Sequence, residues 1–197
     1  MTKRILILAV FLALLAATLW AWRESGFLPF AAKHPAAPHG GDFILQSVKG
    51  PVSLHDFRGK VVLLYFGYTY CPDVCPTSLA LIAQSLKQLP AEEARQVQVI
   101  FVSVDPERDT PQKLQEYGNF FYPGTLGVTG TPEEVAKVAK QYGVMYRKQP
   151  VTSAAGYVID HSSYTYIIGR DGSLRGKVLH AAAPAEMVRA IRSALKP

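Results

Sequence analysis

The sequence predicts an α/β fold, a mixed sheet flanked by helices, with an N-terminal β-hairpin and a single N-terminal transmembrane helix. Three observations carry this prediction. Two near-continuous apolar runs, Lys60–Phe66 and Val97–Val104, have the character of central strands covered on both faces. Helical patterns with explicit start signals separate and follow them. An 18-residue stretch, Ile5–Trp22, has Thr18 as its only polar interruption.

That first stretch follows the basic Met1–Arg4. As a helix it spans about 27 Å, close to a hydrocarbon core of about 30 Å. Trp20 and Trp22 suit an aromatic belt, and Arg23 and Glu24 end the run. A cleaved signal peptide has a shorter apolar region leading to a small-residue site, which Leu19, Trp20 and Trp22 spoil. The expectation is a retained anchor over residues 1–23. Lys3 and Arg4 favour a cytoplasmic N-terminus, and no Arg- and Ser-rich transit peptide precedes the run. A bacterial inner membrane, with the rest of the chain facing the periplasm, fits best. Residues 24–40, with Pro29, Pro35, Pro38 and Gly26, have the composition of a flexible tether. Residues 41–197 are then the folded domain.

Within that domain, Phe43–Gln46 and Val52–Leu54, parted by Lys49-Gly50-Pro51, form the expected hairpin. After the strand Lys60–Phe66 a helix runs to about Leu89, with Leu79, Ile82, Leu86 and Leu89 on one face. Beyond the strand Val97–Val104, Thr110 and Pro111 open a helix to about Phe120 as N-cap and first-turn proline. Thr131 and Glu134 make a capping box for a helix that ends near Gly143. Tyr157–Asp160, Tyr164–Ile168 and Leu174–Leu179 are strands, the last two joined by a turn at Arg170–Gly172, and Pro184–Leu195 closes as a helix. Alternating strands and helices followed by antiparallel strands are the pattern of a thioredoxin-like fold with insertions.

Composition excludes several classes. The chain has 197 residues, 49% of them hydrophobic, which excludes intrinsic disorder for most of it. Two cysteines exclude a disulfide framework and a four-cysteine zinc site. The net charge of +6 divides evenly between residues 1–40 and the remainder, and no basic cluster interleaves with aromatics. Nucleic-acid binding is therefore unsupported.

Cys71 and Cys75 stand where a buried strand leads into a helix, each followed by a proline. Pro76 suits the first helical position, making Cys75 the N-cap. Thiols at a helix N-terminus are held toward thiolate, the form needed for nucleophilic exchange and for soft-metal ligation. Thioredoxin-type redox pairs have two residues between the cysteines, whereas this pair has three. The plain alternative is a structural disulfide, made less apt by the prolines and the strand-to-helix junction. Among the histidines, His34 and His39 lie in the tether, His55 abuts the hairpin, and His180 follows a strand; solvated or structural roles suit them. His161, between two later strands, is either a third ligand or a core histidine bonded to backbone. Two thiolates and an imidazole match copper.

Three segments, GYTYCPDVCP (Gly67–Pro76), SVDPERDTP (Ser103–Pro111) and VIDHS (Val158–Ser162), resemble in order the signatures of Sco/SenC proteins. That family consists of membrane-anchored, thioredoxin-like copper proteins assisting assembly of the dinuclear copper centre of cytochrome c oxidase. The resemblance covers residues 41–197 and the anchor. It implies that Cys71, Cys75 and His161 bind copper, as Cu(I), Cu(II) or both. The implied partner is the copper-centre subunit of the oxidase, with other periplasmic copper carriers or thiol reductants as further candidates. It also permits an alternative, a thiol–disulfide reductase with Cys71 and Cys75 as redox-active thiols acting on the oxidase subunit's copper-binding cysteines. Tyr70 stands where many relatives have His. Asp73 is a turn residue or an electrostatic modulator. Asp105, Asp109 and Asp160 either order loops or support the ligating histidine. Thiol peroxidase chemistry fits poorly, because Thr69 and the prolines are misplaced for it.

Overall fold

The computed structural model describes residues 2–24, 39–152 and 156–196. The chain divides into two compact units, residues 1–37 and 38–197. In the first, α1 (Thr2–Glu24) contains a segment, Lys3–Ala21, long and apolar enough to cross a membrane. Most of the expected tether, residues 25–38, lies outside the described residues.

The second unit is built around β3 (Val61–Gly67), every residue of which is buried. It pairs in parallel with β4 (Val97–Ser103), Tyr65 opposite Phe101, and antiparallel with β8 (Thr165–Ile168), Leu64 opposite Tyr166. β5 (Leu126–Val128) and β9 (Leu174–Val178) complete the order β5-β4-β3-β8-β9. The parallel half is joined through helices and the β8–β9 half through a tight turn, and these connections dictate the mixed sheet. At that turn Gly172 takes a positive φ of 76° and donates its N–H to the Gly169 carbonyl.

Alternation sends Tyr65 and Phe66 to opposite faces. On the Tyr65 face, Phe101 stacks at 6.2 Å, and Tyr117 of α4 (Pro111–Phe121) meets Phe101 at 5.6 Å. α2 (Val74–Lys87) buries Leu79, Ile82 and Leu86 and packs against α4 and α6 (Pro184–Leu195). On the Phe66 face, Tyr142 meets Phe66 and Tyr166 at 5.7 and 5.6 Å just beyond α5 (Pro132–Gln141). Its hydroxyl donates to the Gly41 carbonyl at 2.8 Å, tying the start of the domain to this face. Aromatic pairs of this kind contribute about 0.5–1.5 kcal/mol each beyond their buried area.

The expected mixed sheet with flanking helices and an N-terminal hairpin is present, and the caps at Thr110 and Thr131 form as expected. The hairpin is tighter than expected. β1 (Ile44–Ser47) pairs with β2 (Gly50–Ser53), so Gly50 and Pro51 belong to a strand rather than to the turn. Pro51 is tolerated because β2 is an edge strand with β1 as its partner. Three elements carried no usable sequence signal: α3 (Ala91–Ala94), β5, and β6 (Tyr146–Pro150). β6 is the polar segment YRKQP, made a strand by pairing with β7 (Tyr157–His161) in a separate two-stranded sheet. His161 is the last residue of β7, opposite Tyr146, rather than in the following loop.

Gly127 in β5 allows α4 to approach. A Cβ there would lie 2.5 Å from the Leu114 carbonyl carbon. Gly127→Ala is expected to destabilise the protein by about 1–3 kcal/mol, the range for overpacking, as a lowered denaturant midpoint with unchanged slope.

Candidate metal centre

β3 ends at Gly67 and α2 starts at Val74, so the cysteine loop is anchored at both ends. The helix begins earlier than expected. Asp73, not Cys75, is the N-cap residue, and its carbonyl accepts the N–H of Thr77 at 3.1 Å. Pro76 thus occupies the third helical position, where an N–H has no intrahelical acceptor anyway. The Cys75 N–H is likewise unclaimed by the helix, and it donates to the Cys71 sulfur at 3.4 Å.

Cys75 is fully buried, Cys71 half-buried, and both are free thiols. The Cys75 sulfur occupies the space left by a missing side chain. A Cβ on Gly67 would stand 2.6 Å from Cys75 Sγ and 2.9 Å from the Phe101 ring.

His161 Nε2 lies 3.3 Å from Cys75 Sγ, while Nδ1 is 3.1 Å from the Ser162 carbonyl oxygen. A carbonyl only accepts, so Nδ1 carries the proton and Nε2 presents its lone pair to the thiols. The edges of Tyr65 and Tyr68 flank the ring at 6.3 and 5.9 Å. The ligand atoms of Cys71, Cys75 and His161 all lie within 4.8 Å of one another, the sole such His, Cys or carboxylate grouping among the described residues. Bonds of about 2.0–2.3 Å from one ion to such donors require only a small closure of that span. The donor set fits a soft metal.

Segments around Asp105, Arg108 and Asp109 hold the ligands together. Asp109, buried, accepts from the Thr69 N–H at 3.1 Å, the Thr69 hydroxyl at 2.5 Å and the Ser103 hydroxyl at 2.7 Å. Burial pushes its carboxyl above the ordinary range, against the pull of these hydrogen bonds. Asp105 accepts from Arg108 Nε at 2.5 Å and from the Tyr157 hydroxyl at 2.7 Å. The Arg108 guanidinium also donates to the Tyr157 carbonyl at 3.0 Å and stacks on the rings of Tyr157 and Tyr70 at 3.6 and 4.8 Å. The Tyr68 hydroxyl accepts the Ile159 N–H at 3.1 Å. The cysteine loop is thereby fastened to β7, which carries His161.

The two thiols differ sharply. The hydrogen bond from the Cys75 thiol draws Cys71 down to about 3, assisted by backbone N–H groups of the helix start, against a smaller opposing effect of burial. Burial pushes Cys75 up, and the neighbouring Cys71 sulfur adds to it. These surroundings favour one shared proton, held toward Cys75, with Cys71 as the thiolate.

Of the other candidates, His34 lies outside the described residues, and His39 and His55 are exposed. His180 bonds to the Ser78 hydroxyl at 2.8 Å. Asp73 is exposed and faces Thr77. Asp160 is exposed and accepts from Gln149, so it does not orient His161. Asp105 and Asp109 order the loop. Tyr70 is half-exposed over Arg108 and Lys113. Sequence reasoning missed Tyr65, Gly67, Arg108 and Tyr157. Gly67 and Arg108 sit inside the motifs and could have been flagged, whereas Tyr65 looks like any residue of an apolar strand.

Two outcomes are expected. Gly67→Ala displaces the Cys75 sulfur and lowers metal affinity at least tenfold by titration, with a smaller loss of fold stability. In the metal-free protein, iodoacetamide modifies Cys71 first, at a rate nearly constant from pH 8 down to 5. An ordinary thiol would slow about tenfold per pH unit below its pKa; such slowing of Cys71 would refute the shared-proton arrangement.

Residues 31–196 match the SCO1/SenC family. The chain is 43% identical over 143 residues to the mitochondrial SCO2 homolog of Bos taurus, covering 72% of this chain and 54% of that protein. It thus spans about half the length of that relative. The solution structure of apo Sco1 from Thermus thermophilus superposes with a TM-score of 0.71 at 40% identity, covering 80% of this chain and 91% of the other. The structure of Bradyrhizobium japonicum ScoI with copper bound gives 0.71 at 39% identity, covering 79% and 99%. With the family match running through the cysteine loop, the Asp105–Asp109 segment and His161 alike, the chain belongs to the SCO1/SenC family.

Proposed function

We propose that this protein is a membrane-anchored copper chaperone that carries one copper ion on Cys71, Cys75 and His161 and helps assemble the dinuclear copper centre of cytochrome c oxidase. The observation that carries it is the convergence of two thiols and an imidazole lone pair within 4.8 Å. Soft sulfur suits Cu(I), and imidazole serves either oxidation state. The copper bound to the Bradyrhizobium japonicum relative supports the choice of metal.

Residues 1–23 anchor the chain in a bacterial inner membrane, 24–40 form the tether, and 41–197 form the copper-binding domain on the periplasmic side. The copper-centre subunit of the oxidase receives the cargo, and periplasmic copper carriers or thiol reductants precede it. Handover proceeds by ligand exchange. Three protein donors leave room for an incoming sulfur, and Cys71, half-buried against the fully buried Cys75, is the sulfur it can reach. A groove of about 550 Å³, lined by Met145, Tyr164, Leu179 and His180, opens beside His161.

The Cys71 thiolate also favours a second activity, thiol–disulfide exchange on the acceptor's cysteines. Copper titration of the detergent-solubilised chain, followed by absorption and paramagnetic resonance, separates the two. One copper per chain is expected, only with reduced thiols, and His161→Ala lowers affinity at least 100-fold and abolishes oxidase assembly. Intact assembly by His161→Ala, with loss in either cysteine variant, would make thiol exchange the function.

A further inference from the structure

Tyr65 is fully buried, yet its hydroxyl has no hydrogen-bond partner among the described residues. Buried hydroxyls are nearly always satisfied, because each lost bond to water must be replaced. The ring cannot turn away. It projects from the central strand and is held by Phe101 at 6.2 Å and His161 at 6.3 Å. A Cβ on Gly67 would lie 2.6 Å from Cys75 Sγ and 3.2 Å from Tyr65 Cε1, so the edge of the Tyr65 ring lies beside the Cys75 sulfur, at the start of α2. Ser78 bonds His180 at 2.8 Å and makes no hydrogen bond to the Tyr65 hydroxyl. Cys75 in the metal-free protein is a thiol, whose sulfur accepts hydrogen bonds weakly. A thiolate accepts them strongly, and metal ligation requires the thiolate.

We infer that Tyr65 is a positioning residue for the loaded site: its hydroxyl donates to the Cys75 sulfur once copper has displaced the thiol proton, and this bond favours Cu(I) over Cu(II). The displaced proton leaves to water, and Tyr65 keeps its own. The hydrogen bond withdraws electron density from sulfur and weakens its donation to Cu(II), one of the ways in which a protein tunes a thiolate–copper site. The inference rests on the copper assignment made above.

The test compares the copper-loaded, detergent-solubilised full chain with its Tyr65→Phe and Tyr117→Phe variants. Tyr117 serves as the control, since among the described residues its hydroxyl is also buried without a hydrogen-bond partner, to either cysteine or any other group, and its ring packs on the same Phe101. In Tyr65→Phe the Cu(II):Cu(I) affinity ratio is expected to rise about tenfold, a fall in midpoint potential of about 59 mV for a one-electron couple. The sulfur-to-Cu(II) charge-transfer band should move to longer wavelength. The metal-free variant should melt at or above the wild-type temperature, because a partnerless hydroxyl has been removed. Tyr117→Phe should move neither potential nor band.

An unmoved potential and band in Tyr65→Phe, or an equal shift in Tyr117→Phe, overturns the inference while leaving the copper assignment standing. A lower melting temperature for metal-free Tyr65→Phe assigns the hydroxyl a structural bond and overturns it also. Failure of the wild-type chain to bind copper overturns the copper assignment and this inference together.

Discussion

Arg108 joins the two chain segments from which the metal centre is assembled. Its guanidinium bonds Asp105 and the Tyr157 carbonyl and lies between the rings of Tyr157 and Tyr70. One side of this contact leads to the cysteine loop and the other to the hairpin bearing His161. The ligands are 86 residues apart in the chain, and the 3.3 Å approach of Nε2 to Cys75 Sγ depends on both segments keeping their places. Every bond around Arg108 therefore bears on the site without touching it.

Such a joint places charge where charge is costly. Asp105 and Asp109 are essentially without solvent exposure. An ionised carboxylate in that setting is tolerable only when its oxygens are occupied. Asp105 has a cation and a phenol, whereas Asp109 has only neutral donors from Thr69 and Ser103. Burial raises the Asp109 carboxyl pKa and so favours its neutral form, against the pull of the hydrogen bonds from Thr69 and Ser103. A buried network of this kind is rigid when complete, because losing one member leaves another unsatisfied.

The thiol pair follows the same economy of contacts. A helix start leaves N–H groups without acceptors, and the structure directs one of them at Cys71 while burying Cys75 in the gap above Gly67. Two chemically identical side chains acquire opposite tendencies from their surroundings alone. One is poised as thiolate, and the other retains the shared proton until a metal takes its place.

Much of this was legible in the sequence. Apolar runs marked β3 and β4, Thr-Pro starts marked α4 and α5, and the cysteines announced a thiol site at a strand-to-helix junction. These signals are local: burial on both faces, capping chemistry and proline geometry act within a few residues. The polar β6 could not be recognised, since its strand conformation comes from pairing with β7. The helix start at Asp73, the shared proton and the partnerless hydroxyl of Tyr65 were equally hidden. By itself the sequence determined the order of elements, the identity of the thiols and, through motif resemblance, the family. The tertiary structure decided which histidine nitrogen faces the sulfurs, which cysteine is reachable and what holds the two segments together. Those properties depend on distances between residues far apart in the chain, and only packing sets such distances.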